Sequence, residues 1–218
     1  MDGFTQMIDA ANEFFLKLRE NNTKPFYEEH KAFFISEVKK PAELFAQIMA
    51  EEISKNMGMG HTEKVFRIYR DVRFSKDKTP YNTHLHIFWQ PSDQDELCPG
   101  FFFASTPERL ELMTGVMGFR GETLARYRAF IDKWGDLVED AITETGAEMH
   151  NYGADPLKKV PKPYDPEHPH GPLLKRKSLI IGTSIAQDFR KDGVGLVKAT
   201  RDAVRQLKPF RDLLVERL

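Results

Sequence analysis

Residues 65–117 read VFRIYRDVRF SKDKTPYNTH LHIFWQ PSDQDELCP GFFFAS TPER LELMTGVM, and this stretch decides the fold class. From Val65 to Phe74 the chain alternates. Phe66, Ile68, Arg70, Val72 and Phe74 fall on one side and Arg67, Tyr69, Asp71 and Arg73 on the other, the two-residue period of a strand. Ser75 to Thr83 is a polar link whose Pro80 excludes a central strand. His84 to Trp89 resumes the alternation, with Leu85, Ile87 and Trp89 opposite His84, His86 and Phe88. Pro91 to Glu96 is a turn cluster. Gly100 to Ala104 is a short apolar strand, and Leu110 to Met117 reads as a fourth, a helical start being the alternative. No helix separates these segments. That predicts an antiparallel sheet covered by helices, an α+β fold rather than a doubly wound one.

Outward from this stretch the period becomes helical. Phe4, Met7, Ile8, Ala11, Phe14, Phe15 and Leu18 recur at three and four residues, and Asn21-Asn22 ends that helix. Pro25 suits the first turn of a second helix, with Phe26, Phe33, Phe34 and Val38 facing inward. Lys39-Lys40 lie near its C-terminal end, where cations suit the macrodipole. Pro41 opens a third helix carrying Leu44, Phe45, Ile48, Met49 and Ile53, closed by Gly58 and Gly60. Beyond the sheet stretch, Leu124, Tyr127, Ile131, Trp134, Val138 and Ile142 mark a long helix ending at Gly146. A Pro-rich irregular segment runs from Tyr152 to Pro172, long enough to be either functional or disordered. Ser178 to Thr183 is β-like. Leu196, Ala199, Ala203, Val204 and Leu207 start a last helix, which Pro209 kinks or restarts. One domain over 1–218 is expected, with a helical block at 1–57, sheet and helix over 58–150, and loop, strand and helix over 151–218.

The 218 residues are 40% hydrophobic and 30% charged, enough apolar material for a core and too much for a disordered chain. No apolar run spans a bilayer, and the opening MDGFTQMIDAANEFF lacks the basic and apolar regions of a secretory signal. Cys98 is the only cysteine, which leaves no internal disulfide and no cysteine-based structural zinc site. A cytoplasmic protein with no membrane partner is expected.

The net charge of −1 excludes a globally basic nucleic-acid coat. It conceals two basic islands. Lys64 to Tyr81 holds six cations against two acids, a local +4, and Lys158 to Lys177 does the same, leaving −9 for the rest. Crowded like charges cost about 1 kcal/mol per pair at 4 Å even in water. An anionic ligand would offset that cost, as would acids on the helical faces.

At the first island the sequence resembles a known family. Phe66-Arg67-Ile68-Tyr69-Arg70-Asp71-Val72-Arg73-Phe74-Ser75-Lys76-Asp77-Lys78-Thr79-Pro80-Tyr81-Asn82-Thr83-His84 looks like the hallmark run of the Domain of Unknown Function 2461 family, found in bacteria and fungi and without an established activity. Phe15-Leu16 to Asn21-Asn22, with Phe26 and Lys31, resembles its N-terminal block. Leu157-Lys158-Lys159-Val160-Pro161-Lys162-Pro163-Tyr164-Asp165 and His168-Pro169 resemble its later block, followed by Leu174-Lys175-Arg176-Lys177-Ser178. Two departures stand out. Pro25 replaces a frequent Trp, and Thr114-Gly115-Val116-Met117-Gly118 replaces a glycine triplet that could admit a ligand to the backbone. The resemblance covers most of the chain as one domain and implies no catalytic residues, so candidate sites rest on chemistry.

The leading candidate is a pocket for a phosphate or carboxylate lined by Arg67, Arg73, Lys76, Lys78 and Tyr81, with Asp77 and His84 in the same loop and Lys175 and Lys177 approaching from the second island. Arginine forks suit such anions, and Pro80 stiffens the loop, lowering the ordering cost of binding. The alternative is a structural network in which Asp71 and Asp77 neutralise the cations. His84 and His86, or His168 and His170 beside Asp165 and Glu167, have residue types that bind zinc or iron. Two-residue spacing also arises from strand alternation alone, so no metal or cofactor is assigned. Asp71 or Asp77 beside Arg73 should stay ionised, and His84 is a candidate proton donor. No hydrolase triad, P-loop or dinucleotide fingerprint occurs, and Cys98 reads as a spectator thiol. Phe101, Phe102 and Phe103 fit core packing better than a base-stacking platform. Binding or processing of a small anionic ligand is therefore expected. A nucleic-acid module and an interaction protein without chemistry are the alternatives, and oligomeric state stays open.

Overall fold

The computed structural model describes residues 3–92, 98–152, 155–185, 189–191 and 193–218. Three helical segments lead: α1 (Gly3–Glu20), α2 (Lys24–Phe33) and α3 (Lys40–Met57), the last two joined by a π-helical turn, Phe34–Lys39. Then come β1 (His61–Val65), β2 (Leu85–Pro91), β3 (Gly100–Ser105) and β4 (Leu110–Val116) without an intervening helix. Next are α4 (Gly121–Thr145), β5 (Glu148–His150), the single turn α5 (Gly171–Leu174), β6 (Leu179–Ser184) and α6 (Gly195–Arg217). The described strands form an antiparallel sheet in the order β1-β2-β3-β4-β6-β5, and the fold is α+β. Chain contacts gather into two units. One comprises Met1–Ser92, Phe102–Leu112 and Ser184–Ala203; the other comprises Asp93–Phe101, Met113–Thr183 and Val204–Leu218.

In the first unit the three-and-four spacing of α1 buries Met7, Ile8, Ala11, Phe14, Phe15 and Leu18. Each such side chain contributes about 1.5–3 kcal/mol on leaving water. Thr23 caps α2 by accepting the Phe26 N–H at 3.4 Å, and Pro25 occupies the first turn. The inward face differs from the sequence expectation. Tyr27, Phe34 and Val38 are buried, whereas Phe33 and Leu44 are exposed and Phe26 is half-buried, because the π-helical turn shifts the register of the face between α2 and α3. Gly58, at φ 67°, ends α3 in the left-handed region that only glycine enters cheaply. The Trp89 indole on β2 donates to the Ala46 carbonyl of α3 at 2.9 Å, so its one polar group is buried and satisfied.

The strand expected from Val65 to Phe74 is not there. β1 lies earlier, pairing His61 with Pro91 through Val65 with Ile87, and the ladder stops one bond later, at Phe66 N–H to His86 O, 2.9 Å. Of the alternating apolar residues only Ile68 is buried; Phe74 is 96% exposed. The backbone groups find other partners. Arg70 N–H donates to Pro80 O at 2.9 Å and Asn82 N–H to Ile68 O at 2.7 Å, a lone antiparallel bridge of Tyr69 with Tyr81, and beyond it the Lys78 ammonium donates to Val72 O at 2.9 Å, while Pro80 has no N–H to extend a ladder.

In the second unit, α4 runs as expected to Gly146, with non-helical torsions at Trp134. β5 and α5 were not foreseen, being too short for periodicity to show. Gly115 on β4 has φ 134°, and a Cβ there would lie 2.0 Å from the Leu179 carbonyl oxygen. Its missing side chain thus admits the backbone of β6. α6 carries Pro209 inside a single helix and does not restart there.

Candidate functional site

The first basic island lies in the first unit and engages many of its own charges. Asp71 receives both Nε and Nη2 of Arg73, at 2.9 and 2.7 Å, and this paired guanidinium holds the Asp71 carboxyl below its ordinary range. Asp77 accepts the Thr79 N–H and hydroxyl at 2.9 Å and the Arg70 guanidinium at 2.6 Å, which pull its carboxyl down to about 2. Lys78 caps main-chain carbonyls. Arg70, Arg73 and Lys78 are therefore already engaged by loop acceptors, whereas Arg67 and Lys76 make no ion pair with a described residue.

Tyr81 is buried rather than displayed. Its ring stacks on Tyr27 at 4.6 Å, and its main chain is clamped by Asn22, which donates to Tyr81 O at 2.9 Å and accepts Tyr81 N–H at 3.1 Å. The Asn22 clamp was not foreseen; an amide at a helix end gives no sequence signal of so distant a partner. His84 is half-buried and stacks on His86 at 3.9 Å. Burial, and then the charge of Arg70, lowers its pKa, so it is neutral at pH 7. Phe101, Phe102 and Phe103 are all buried, so none offers an open stacking face.

The second island lies in the second unit and builds a cavity of about 850 Å³. Its wall carries four lysines, Lys158, Lys159, Lys162 and Lys175, with Asp165 as the one acid among the lining residues, and Tyr164. None of the four ammonium groups pairs with a described acid. Of the residues expected at the site, Lys175 lines this cavity; Lys177, half-buried, is not among the lining residues. The sequence signal for Lys158, Lys159 and Lys162 is the cation content of the Pro-rich run, which shows charge but not that these lysines line one cavity.

The local folding explains the wall. Leu157 N–H donates to Lys175 O at 2.8 Å, closing the loop at its two ends, and Tyr164 N–H turns back to Pro161 O at 3.1 Å. Beyond Asp165, whose carboxylate accepts the Glu167 N–H at 2.8 Å, the chain is stapled to α4 by two histidines. His168 donates from Nε2 to Asp132 at 3.1 Å and accepts the His170 N–H at Nδ1, also at 3.1 Å. Both ring nitrogens are thereby occupied, leaving no lone pair for a metal. The His170 ring, 6% exposed, lies 3.3 Å (Nε2) from Asp136 and 3.2 Å (Nδ1) from Glu139, the latter without hydrogen-bond geometry. Asp132, Asp136 and Glu139 recur at four and three residues along α4, a stripe that reads in sequence as a solvated face. Among the described residues no group of three or more His, Cys, Asp or Glu side chains is arranged to hold a metal ion.

The Lys175–Ser178 stretch is fixed by its buried arginine. Arg176 donates to the His150 carbonyl and, at 3.4 Å, to Ser178 O, while the Ser178 hydroxyl donates to Tyr152 O at 2.8 Å. Inward Arg176 leaves Lys175 and Lys177 on its more exposed flanks.

The fold and the cavity define an α+β protein with a lysine-lined hollow. The family described as conserved hypothetical protein (DUF2461) matches residues 10–213, and the chain belongs to it. Comparison with curated proteins gives no match. No described helix is long and apolar enough to cross a membrane.

Proposed function

We propose that the protein binds a small polyanion, bearing phosphate or carboxylate groups, in the lysine-lined cavity of the second unit. The observation that carries this reading is the set of four lysines, none paired with a described acid, around one hollow of about 850 Å³. At 4 Å each favourable charge pair is worth about 1 kcal/mol in water and about 4 kcal/mol at the effective dielectric of a protein surface. A dianion or trianion meeting several lysines removes their mutual repulsion as well. Lysines are mobile point charges, so they suit a ligand with several anionic groups better than one flat carboxylate. The stiff Pro161–Pro166 stretch lowers the ordering cost on the protein side. Arg73 and Lys78, expected from sequence to line the anion site, bond within their own loop and fit this role less well.

Calorimetric titration with inorganic pyrophosphate, tripolyphosphate and citrate tests the reading. Binding should be lost or weakened tenfold or more in the double variant Lys162→Gln/Lys175→Gln and retained in Arg73→Ala. Binding that survives the lysine changes but disappears in Arg73→Ala would move the site to the first island. No heat with any of the three at millimolar concentration would remove the proposal.

A further inference from the structure

The first unit holds a different kind of cavity. About 290 Å³ of space is bounded by Tyr27, Phe34, Phe66 and Tyr69, together with Arg67 and the Lys39–Glu43 pair. Four aromatic rings and the aliphatic Val65, Ile68 and Leu85 make its walls mostly apolar, with three charged side chains among them, the usual make-up of a small-molecule site. Phe66 and Tyr69 are 44% and 45% exposed, large rings left on the surface beside the hollow rather than packed into the core. The main chain beneath them is fixed. Phe66 N–H bonds His86 O, Asn82 N–H bonds Ile68 O at 2.7 Å, and the Asn82 amide donates to Arg67 O at 3.3 Å. With Ile68 buried as an anchor, Phe66, Arg67 and Tyr69 are held in place. The π-helical turn contributes Phe34 and Lys39, and such turns recur at functional sites.

The charges define the guest. Lys39 and Glu43 lie 3.6 Å apart and compensate each other. Arg67 makes no ion pair with a described residue, and Asp71, which feels its charge, is bonded to Arg73, so Arg67 offers the hollow a planar fork that matches a carboxylate. Burial, followed by neighbouring Tyr69, raises the Tyr27 phenol above its ordinary pKa, so it remains a protonated donor at neutral pH. At about 30 Å³ per water-sized group, 290 Å³ admits roughly ten non-hydrogen atoms.

We propose that this pocket binds a small aromatic monocarboxylate, its carboxylate on the Arg67 guanidinium and its ring among Tyr27, Phe34, Phe66 and Tyr69. The site shares no residue with the lysine cavity and takes a different chemical class, so the two proposals stand or fall separately.

The test is an NMR or calorimetric titration of the full chain with four probes: benzoate, phenylacetate, benzamide as the uncharged isostere, and acetate as the ringless one. Benzoate or phenylacetate should bind at least tenfold more tightly than both benzamide and acetate. Arg67→Gln, an exposed change, should weaken that binding at least tenfold without moving Tm, and Phe66→Ala should weaken it too. Lys162→Gln/Lys175→Gln should leave it unchanged. Equal binding of benzoate and benzamide, unaltered affinity in Arg67→Gln, or no response to any probe at 10 mM would each overturn the proposal.

Discussion

His86 shows how one residue makes stability depend on pH. It sits on β2 with its ring stacked on His84 at 3.9 Å and edge-on to Phe66 at 6.5 Å. Burial, and then the neighbouring His84, pulls its pKa down to about 4. In the unfolded chain it titrates near 6.5. Between these values the unfolded state binds the extra proton, so stability falls as pH drops from about 6.5 to 4. The loss from this group is at most on the order of 3 kcal/mol. The urea midpoint should decline across that window, and His86→Gln should flatten the decline. A slope unchanged in His86→Gln would show that the burial does not cost the imidazolium what is argued here. Asp77 acts lower on the scale. Its carboxyl, held at about 2 by Thr79 and Arg70, contributes above pH 4 and is lost only as pH falls through 2, so the two effects separate.

Among elements, the union of α4 with the 155–170 loop is the one on which the lysine cavity depends, and a glycine makes it. A Cβ on Gly135 would lie 2.2 Å from Cδ2 of the His170 ring. In an exposed helix interior, Gly→Ala stabilises by about 1 kcal/mol. Here it should do the opposite, expelling His170 from Asp136 and Glu139 and loosening the loop. Gly135→Ala should lower the urea midpoint and weaken polyanion binding, while Gly135→Ala/His170→Ala, which makes room for the methyl group, should lose less than the sum of the two single changes. Strict additivity would mean that the contact does not couple them.

This staple was not legible in the sequence. Helical periodicity marked α1 and α4, alternation marked β2, and short apolar β-like runs marked β3, β4 and β6, which are buried along nearly their whole length. The contact between His170 and the acids of α4 links residues that are 34 and 31 positions apart and carries no period. The alternation over 65–74 misled for a related reason. Pairing there shrinks to one antiparallel bridge, Tyr69 with Tyr81, and beyond it the Lys78 ammonium takes the Val72 carbonyl, so Ile68 alone gains burial. At the site, cation content was readable but saturation was not. Arg73 with Asp71 two residues away and Lys162 with Asp165 three residues away are equally basic letters in sequence, and only coordinates show that the first is ion-paired and the second is not paired with a described acid.

For the molecule as a whole, net charge and local charge give opposite advice about partners. The total is −1, and outside the two islands the chain carries −9. At physiological salt the Debye length is about 8 Å, and a cavity of about 850 Å³ is roughly 9 Å across. A small polyanion seated there interacts with the lining lysines and is largely screened from the distant acids. A duplex nucleic acid cannot be confined in this way, and each phosphate it engaged would add about −0.9 to the slope of log K against log salt. Tripolyphosphate should therefore bind at 0.15 M salt, whereas a 20-base-pair duplex should show no association tighter than about 10⁻⁴ M, the weak limit of non-specific binding. Fluorescence anisotropy with the duplex, set against calorimetry with tripolyphosphate, orders the two. Tighter duplex binding with a slope of several units would assign the lysines to a phosphate backbone and make nucleic acid the partner; a weak duplex and a persistent small ligand would assign the recognition to the hollow that the four lysines line.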